Sequence, residues 1–192
     1  MKSILKNKSL PIFNTIGIVS YSLCQWVIIK IISNNYPTET LGDYALSLSY
    51  LAPLTLFFCF SLRNFFNSHN EEVNVSDIFT HRIVSTIIYF LCSLLILKLF
   101  VPNVDNSVFI LLMLIRGGDL LSDLAYTVKQ RQKDIRYIGV SLSLKSLFII
   151  IICLVANIQA NMAIDHFLIG ILLITTIFFA IDLKTSIRSF SF

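Results

Sequence analysis

Apolar and polar positions alternate on a long scale, dividing the chain into six apolar runs separated by short polar breaks. The runs extend from Ile12 to Ile32, Leu41 to Leu62, Ile83 to Val101, Val108 to Tyr126, Tyr137 to Ala156 and Phe167 to Leu183. A hydrocarbon core about 30 Å thick takes about 20 helical residues at about 1.5 Å each, so each run predicts a membrane-spanning helix. The breaks fall at Ser33 to Thr40 with Pro37, Ser68 to Asp77, Pro102 to Asn106, Lys129 to Arg136 and Asn157 to Asp165. Barrel strands would alternate lipid-facing and lumen-facing residues, whereas these runs are continuous, and lipid leaves no partner for an open strand edge. The expected fold is an all-α integral membrane protein, with residues 1–192 forming a single unit of six transmembrane helices.

Composition agrees. Of 192 residues, 56% are hydrophobic and 14% charged, against roughly 45–50% and 25% in soluble domains, which excludes an ordinary soluble enzyme and leaves no length for a separate soluble domain. Cys24, Cys59, Cys92 and Cys153 each lie within an apolar run without metal-clip or disulfide spacing, so they read as small apolar residues. Lys2, Lys6 and Lys8 before the first run imitate a secretory signal, but that run is too long, lacks a small-residue cleavage site and is followed by further spans. The first run is therefore expected to remain as a transmembrane helix.

The basic residues set an orientation. With the N-terminus in the cytoplasm, the inner segments carry Lys2, Lys6, Lys8, Arg63, Arg82, Lys129, Arg131, Lys133, Arg136, Lys184 and Arg188, and the outer loops proper carry none. Lys30 and Lys98 sit near outer helix ends, where their stems can snorkel. Both termini are expected to be cytoplasmic. The net charge of +4 is accounted for by topology, so no nucleic-acid partner is expected.

Two cations remain within the membrane, Arg116 on the fourth span and Lys145 on the fifth, at a common depth near the middle. A charge there costs roughly 2.5–3.5 kcal/mol on insertion scales and so faces a bundle interior or a wet cavity. Asp119 and Asp123 follow Arg116 at helical spacing and share its face. One reading pairs Asp119 with Arg116 or Lys145 to fix helix four against helix five. The other makes Arg116 and Lys145 line a water-filled, anion-attracting cavity, because two buried ion pairs are a costly substitute for Leu packing.

Asn14, Gly17, Tyr21 and Gln25 form a polar stripe about 80° wide on the first span. It suits either interhelical packing, with Gly17 permitting close approach, or cavity lining. Pro53 removes a backbone donor from span two and predicts a kink, while Gly117 and Gly118 offer a flexible point or close packing. The basic loop from Lys129 to Arg136 is topological and also suits anionic headgroups. Ser76 to Arg82 predicts a capped helix leading into span three. Asn74-Val75-Ser76 matches a glycosylation acceptor but falls on the cytoplasmic side of this topology. No nucleotide loop, nucleophile motif or clustered histidines occur, so neither an enzyme nor a cofactor or metal site is expected.

The polar first span, Glu39 to Phe66 (ETLGDYALSLSYLAPLTLFFCFSLRNFF), SDIFTHRIVST at span three, and Leu114 to Leu147 (LIRGGDLLSDLAYTVKQRQKDIRYIGVSLSLKSL) together resemble the N-terminal half of O-antigen and polysaccharide flippases. These belong to the multidrug, oligosaccharidyl-lipid and polysaccharide exporter superfamily. Gly42 and Tyr44 match its turn into span two, and Arg116, Asp119 and Asp123 its polar fourth span. The resemblance implies one lobe of a two-lobed transporter in the bacterial inner membrane, moving a polyprenyl-pyrophosphate-linked oligosaccharide between leaflets by alternating access. It further implies that Arg116 and Lys145 attract the pyrophosphate or acidic sugars, and that Asn14, Tyr21 and Gln25 bond glycan hydroxyls. Family members carry two such lobes, so the second is expected from a partner chain or another copy. Two alternatives accompany this expectation: a cation-coupled multidrug exporter lobe using Asp119 and Asp123 as ion sites, and a non-transporting membrane scaffold.

Overall fold

A computed structural model describes residues 2–59, 75–101, 104–159 and 162–188. They form six helices: α1 (Lys2–Asn35), α2 (Thr38–Cys59), α3 (Val75–Phe100), α4 (Asn106–Arg131), α5 (Ile135–Ile158) and α6 (Ile164–Arg188). Five of them, all but α4, are long and apolar enough to cross a membrane. The fourth apolar run forms a helix as expected, but Arg116, Asp119 and Asp123 interrupt its apolar sequence. Leu56, Leu91, Phe100, Leu154 and Leu173 are exposed on the other helices, as side chains solvated by lipid would be.

Burial separates α4 from its neighbours. Val108, Phe109, Leu112, Ile115, Leu120, Leu124 and Val128 are all buried along it, and α4 packs against α2, α3 and α6 and, more lightly, α5. The chain places its least apolar helix where protein, rather than lipid, surrounds the polar groups. Ser107 and Ala125 of α4 meet Asp165 and Ser186 of α6, so these two helices run parallel. The most extensive pairing joins α1 to α5, also parallel, since Tyr21 stacks beneath Lys145 and Asn35 bonds Asn157.

Gly17 and Gly139 set the α1–α5 crossing. A Cβ on Gly17 would lie 2.6 Å from the Gly139 carbonyl oxygen, and one on Gly139 would enter the Phe13 carbonyl, so the backbones touch as the stripe on span one allows. Gly117 and Gly118 likewise serve close packing: a Cβ on the first would strike the Phe90 ring and one on the second would lie 2.8 Å from Thr175 Cγ2. α2 remains helical through Pro53. Buried hydroxyls of Ser47, Thr86, Ser93, Ser146 and Thr175 donate to the carbonyl four residues back, which removes the cost of unpaired polar groups.

The helices are longer than the apolar runs. α1 continues through Ser33 and Asn34 to Asn35, leaving only Tyr36 and Pro37 before α2. Burial raises the Tyr36 phenol pKa in this turn. Asp105 caps α4 by accepting from Ser107 N at 2.9 Å. α4 ends in a Schellman motif: Asp134 N bonds the Lys129 carbonyl and Lys133 N the Gln130 carbonyl, both at 2.9 Å, with Lys133 left-handed at φ 62°. Arg63 and the break from Ser68 to Asn74 lie outside the described residues, as does the end of the second apolar run, residues 60–62.

Candidate functional site

Three carboxylates within the described helices have different surroundings. Asp119 lies where α1, α4 and α5 meet. Lys145 Nζ donates to its Oδ1 at 2.6 Å, the Tyr21 hydroxyl donates to its Oδ2 at 2.7 Å, and Arg116 Nη1 stands 3.5 Å from the same Oδ2. Lys145 is only 2% exposed and also sits over the Tyr21 ring. Two cations thus share one anion, and the group carries a net charge of +1 by count: two positive side chains less one negative.

Of these cations, Arg116 is the more open, with its side chain 18% exposed. Its Nη2 donates to Gln25 Oε1 at 3.2 Å, while its Nε is buried without a partner among the described residues. The same guanidinium lines a small pocket between α1, α2, α4 and α6, together with Gln25, Ile28, Tyr44 and Ile171. The sequence expectation that both Arg116 and Lys145 face a cavity therefore divides. Arg116 lines only this small, mostly apolar pocket, whereas Lys145 is sealed against Asp119.

The second carboxylate, Asp123, is one helical turn along α4 and faces α2 and α3. Arg82 Nη2 pairs with it, and the Cys59 thiol lies 3.8 Å from the same oxygen. Sequence position put Arg82 among the cytoplasmic basic residues, one residue before the third span. Arg82 is 1% exposed, since α3 begins at Val75 and carries it into the bundle, so it is a buried partner of Asp123. The apparent polar stripe Arg116–Asp119–Asp123 thus serves two sets of neighbours rather than one cavity.

The sequence reading missed the third carboxylate. Asp182 of α6 is 1% exposed and accepts from the hydroxyls of Tyr137 and Ser141 on α5, both at 2.8 Å. The available signal was an acid inside the last apolar run. Lys129, read as part of the topological basic loop, is buried here, donating to the Thr185 carbonyl at 3.2 Å and lying 5.0 Å above the Tyr137 ring. Arg136 stacks on Phe13.

Of the polar stripe on α1, Tyr21 and Gln25 join the Asp119 cluster as donor and acceptor. Asn14 stands apart near the Gly17–Gly139 crossing, its Oδ1 buried and unpartnered among the described residues. All four cysteines are free. Among the described residues, no three His, Cys, Asp or Glu side chains gather to hold a metal ion. No family model, curated protein or solved structure matches the chain.

Proposed function

We propose that this chain is one lobe of a membrane transporter for an anionic, lipid-linked substrate, a polyprenyl-pyrophosphate-linked oligosaccharide. The observation that carries the reading is the surplus of positive charge around Asp119. A structural ion pair would need one cation, yet Lys145 and Arg116 both bind this acid, and Arg116 lines a small pocket. Guanidinium donors in a low-dielectric setting recognise phosphate strongly. Tyr21 and Gln25 hold the cations in place, and Lys145 acts as the counter-ion that keeps Asp119 from cancelling Arg116.

The resemblance to polysaccharide flippases supports the same substrate class and gives the inner membrane, cytoplasmic termini and a second lobe as further parts of this reading. The two acids that the exporter alternative assigns to a coupling ion, Asp119 and Asp123, already hold cations. The test is translocation of a fluorescent polyprenyl-pyrophosphate oligosaccharide in proteoliposomes containing the chain and any co-purifying second lobe. Wild type should move the lipid and Arg116→Gln should lose most of that activity at equal membrane level. Equal rates in both would refute the reading, as would no translocation by wild type with both lobes present.

A further inference from the structure

The crossing of α1 and α5 leaves a groove that the substrate reading does not use. Gly139 brings no side chain to the contact, and an open cavity of about 270 Å³ lies beside it, lined by Phe13 and Ile16 of α1 and by Gly139, Val140, Ser143 and Leu144 of α5. Apart from the Ser143 hydroxyl these groups are apolar. Ile16, Val140 and Leu144 are exposed, so the groove opens outward from the bundle, on the surface that lipid would cover.

A cation stands at its rim. The Arg136 guanidinium lies 4.8 Å from the centre of the Phe13 ring, the same ring that lines the groove. Stacking engages the face of the guanidinium and leaves the N–H donors along its edge for a planar or tetrahedral oxyanion. Among the described residues no carboxylate forms an ion pair with Arg136. Lys133 is exposed in the turn just before it, while Asp134 is engaged as the N-cap of α5, accepting from Tyr137 N. The rim therefore carries a net charge of +1 by count: Lys133 and Arg136 less Asp134. α5 is long and apolar enough to cross a membrane and begins at Ile135, which puts Arg136 at one end of the span and Leu144 about 12 Å further along it.

We propose that this groove binds one anionic glycerophospholipid, its phosphate on the Arg136 guanidinium and one acyl chain lying along Phe13, Gly139, Val140 and Leu144. Size selects a hydrocarbon chain: a helix with its side chains is about 10–12 Å across, far too wide for a cavity of about 270 Å³, so a helix of a second copy or of another lobe does not fill it. Charge selects the headgroup, because basic residues at a membrane surface attract anionic lipid and a guanidinium binds phosphate at two points. The bound lipid bridges α1 and α5 and so braces their crossing. The inference is independent of the substrate reading, whose Arg116 lies on α4 and takes no part in the groove.

The test uses the full chain, purified in detergent and depleted of lipid, titrated with phosphatidylglycerol or with phosphatidylcholine of identical acyl chains. Bound lipid is counted by native mass spectrometry and melting temperature is followed in parallel. Phosphatidylglycerol should bind at one per chain, about tenfold more tightly than phosphatidylcholine, and should raise the melting temperature. Arg136→Gln should abolish that preference, whereas Lys184→Gln, which removes a cation exposed on α6, should retain it. Ser143→Phe, which fills the groove, should weaken both lipids. Arg116→Gln should leave phosphatidylglycerol binding unchanged, so that failure of this proposal and failure of the substrate reading are read from different residues. Equal affinity for the two lipids in wild type, or a loss in Lys184→Gln as large as in Arg136→Gln, would overturn the proposal by reducing it to diffuse charge. Retention of an added polyprenyl phosphate at Arg136 with no retention of phosphatidylglycerol would assign the groove to the substrate lipid and overturn it equally.

Discussion

Asp119 and Asp182 are both carboxylates inside the same bundle, yet one holds two cations and the other none among the described residues. Asp123, with Arg82, falls between them at one to one. The difference teaches how the fold distributes charge. Positive surplus is kept where α1, α4 and α5 meet, next to the pocket at Arg116, and negative surplus where α5 and α6 meet. A bundle seeking only cohesion would neutralise each acid with one base, since any imbalance in low dielectric is costly. α5 contributes to both clusters, through Lys145 at the first and Ser141 at the second.

The comparison breaks most severely at Asp119. Asp119→Asn leaves Lys145 and Arg116 with no anion, and the expected cost is about 3–5 kcal/mol, read as a fall in detergent melting temperature. Adding Lys145→Met should recover much of it, because the remaining Arg116 retains Gln25 and the pocket. Additive losses in the double variant would show that the two side chains do not form one electrostatic unit.

Next in size are the glycines that hold the two regions in register. Gly139→Ala inserts a Cβ into the Phe13 backbone, where no rotamer change can relieve it. The α1–α5 crossing should open at a net cost of about 1–3 kcal/mol, despite a gain of roughly 1 kcal/mol in helix propensity. Gly42→Ala is the control, since nothing lies within 4 Å of its Cβ position. It should stabilise α2 by up to about 1 kcal/mol, and a destabilised Gly42→Ala would mean that something else occupies that space.

The smallest effect belongs to the α4–α5 turn, which links the Asp119 cluster to the Asp182 cluster. Lys133 is left-handed without being glycine, so Lys133→Gly should relieve strain and raise stability by about 1 kcal/mol or less. A loss there, seen in the same melting assay, would mean that the Lys133 side chain contributes a contact of its own.

The helices could be read from sequence because hydrophobic length alone specifies them, and caps such as Asp105 moved only their ends. Arg116, Asp119 and Lys145 could be singled out because charges within apolar runs are costly wherever they point. Their partners could not be read. Whether Lys145 reaches Asp119 or a cavity depends on the α1–α5 crossing, which two glycines set from opposite ends of the sequence. Arg82 was hidden by a helix that begins earlier than its apolar stretch. Asp182, inside the sixth apolar run, and Lys129, assigned to the basic loop, have partners that only the packing of α4, α5 and α6 reveals.

The most direct measurement of the account's central claim is the binding isotherm of a polyprenyl pyrophosphate to the purified chain in nanodiscs, compared between wild type and Arg116→Gln. Because the Arg116 side chain is partly exposed and Lys145 still holds Asp119, the variant should melt close to wild type. Its affinity should fall by at least about tenfold, corresponding to about 1.4 kcal/mol, and Arg116→Lys should regain part of the loss as a point charge on phosphate. An unchanged isotherm in a well-folded Arg116→Gln would contradict the claim that the positive surplus beside Asp119 exists to hold an anion.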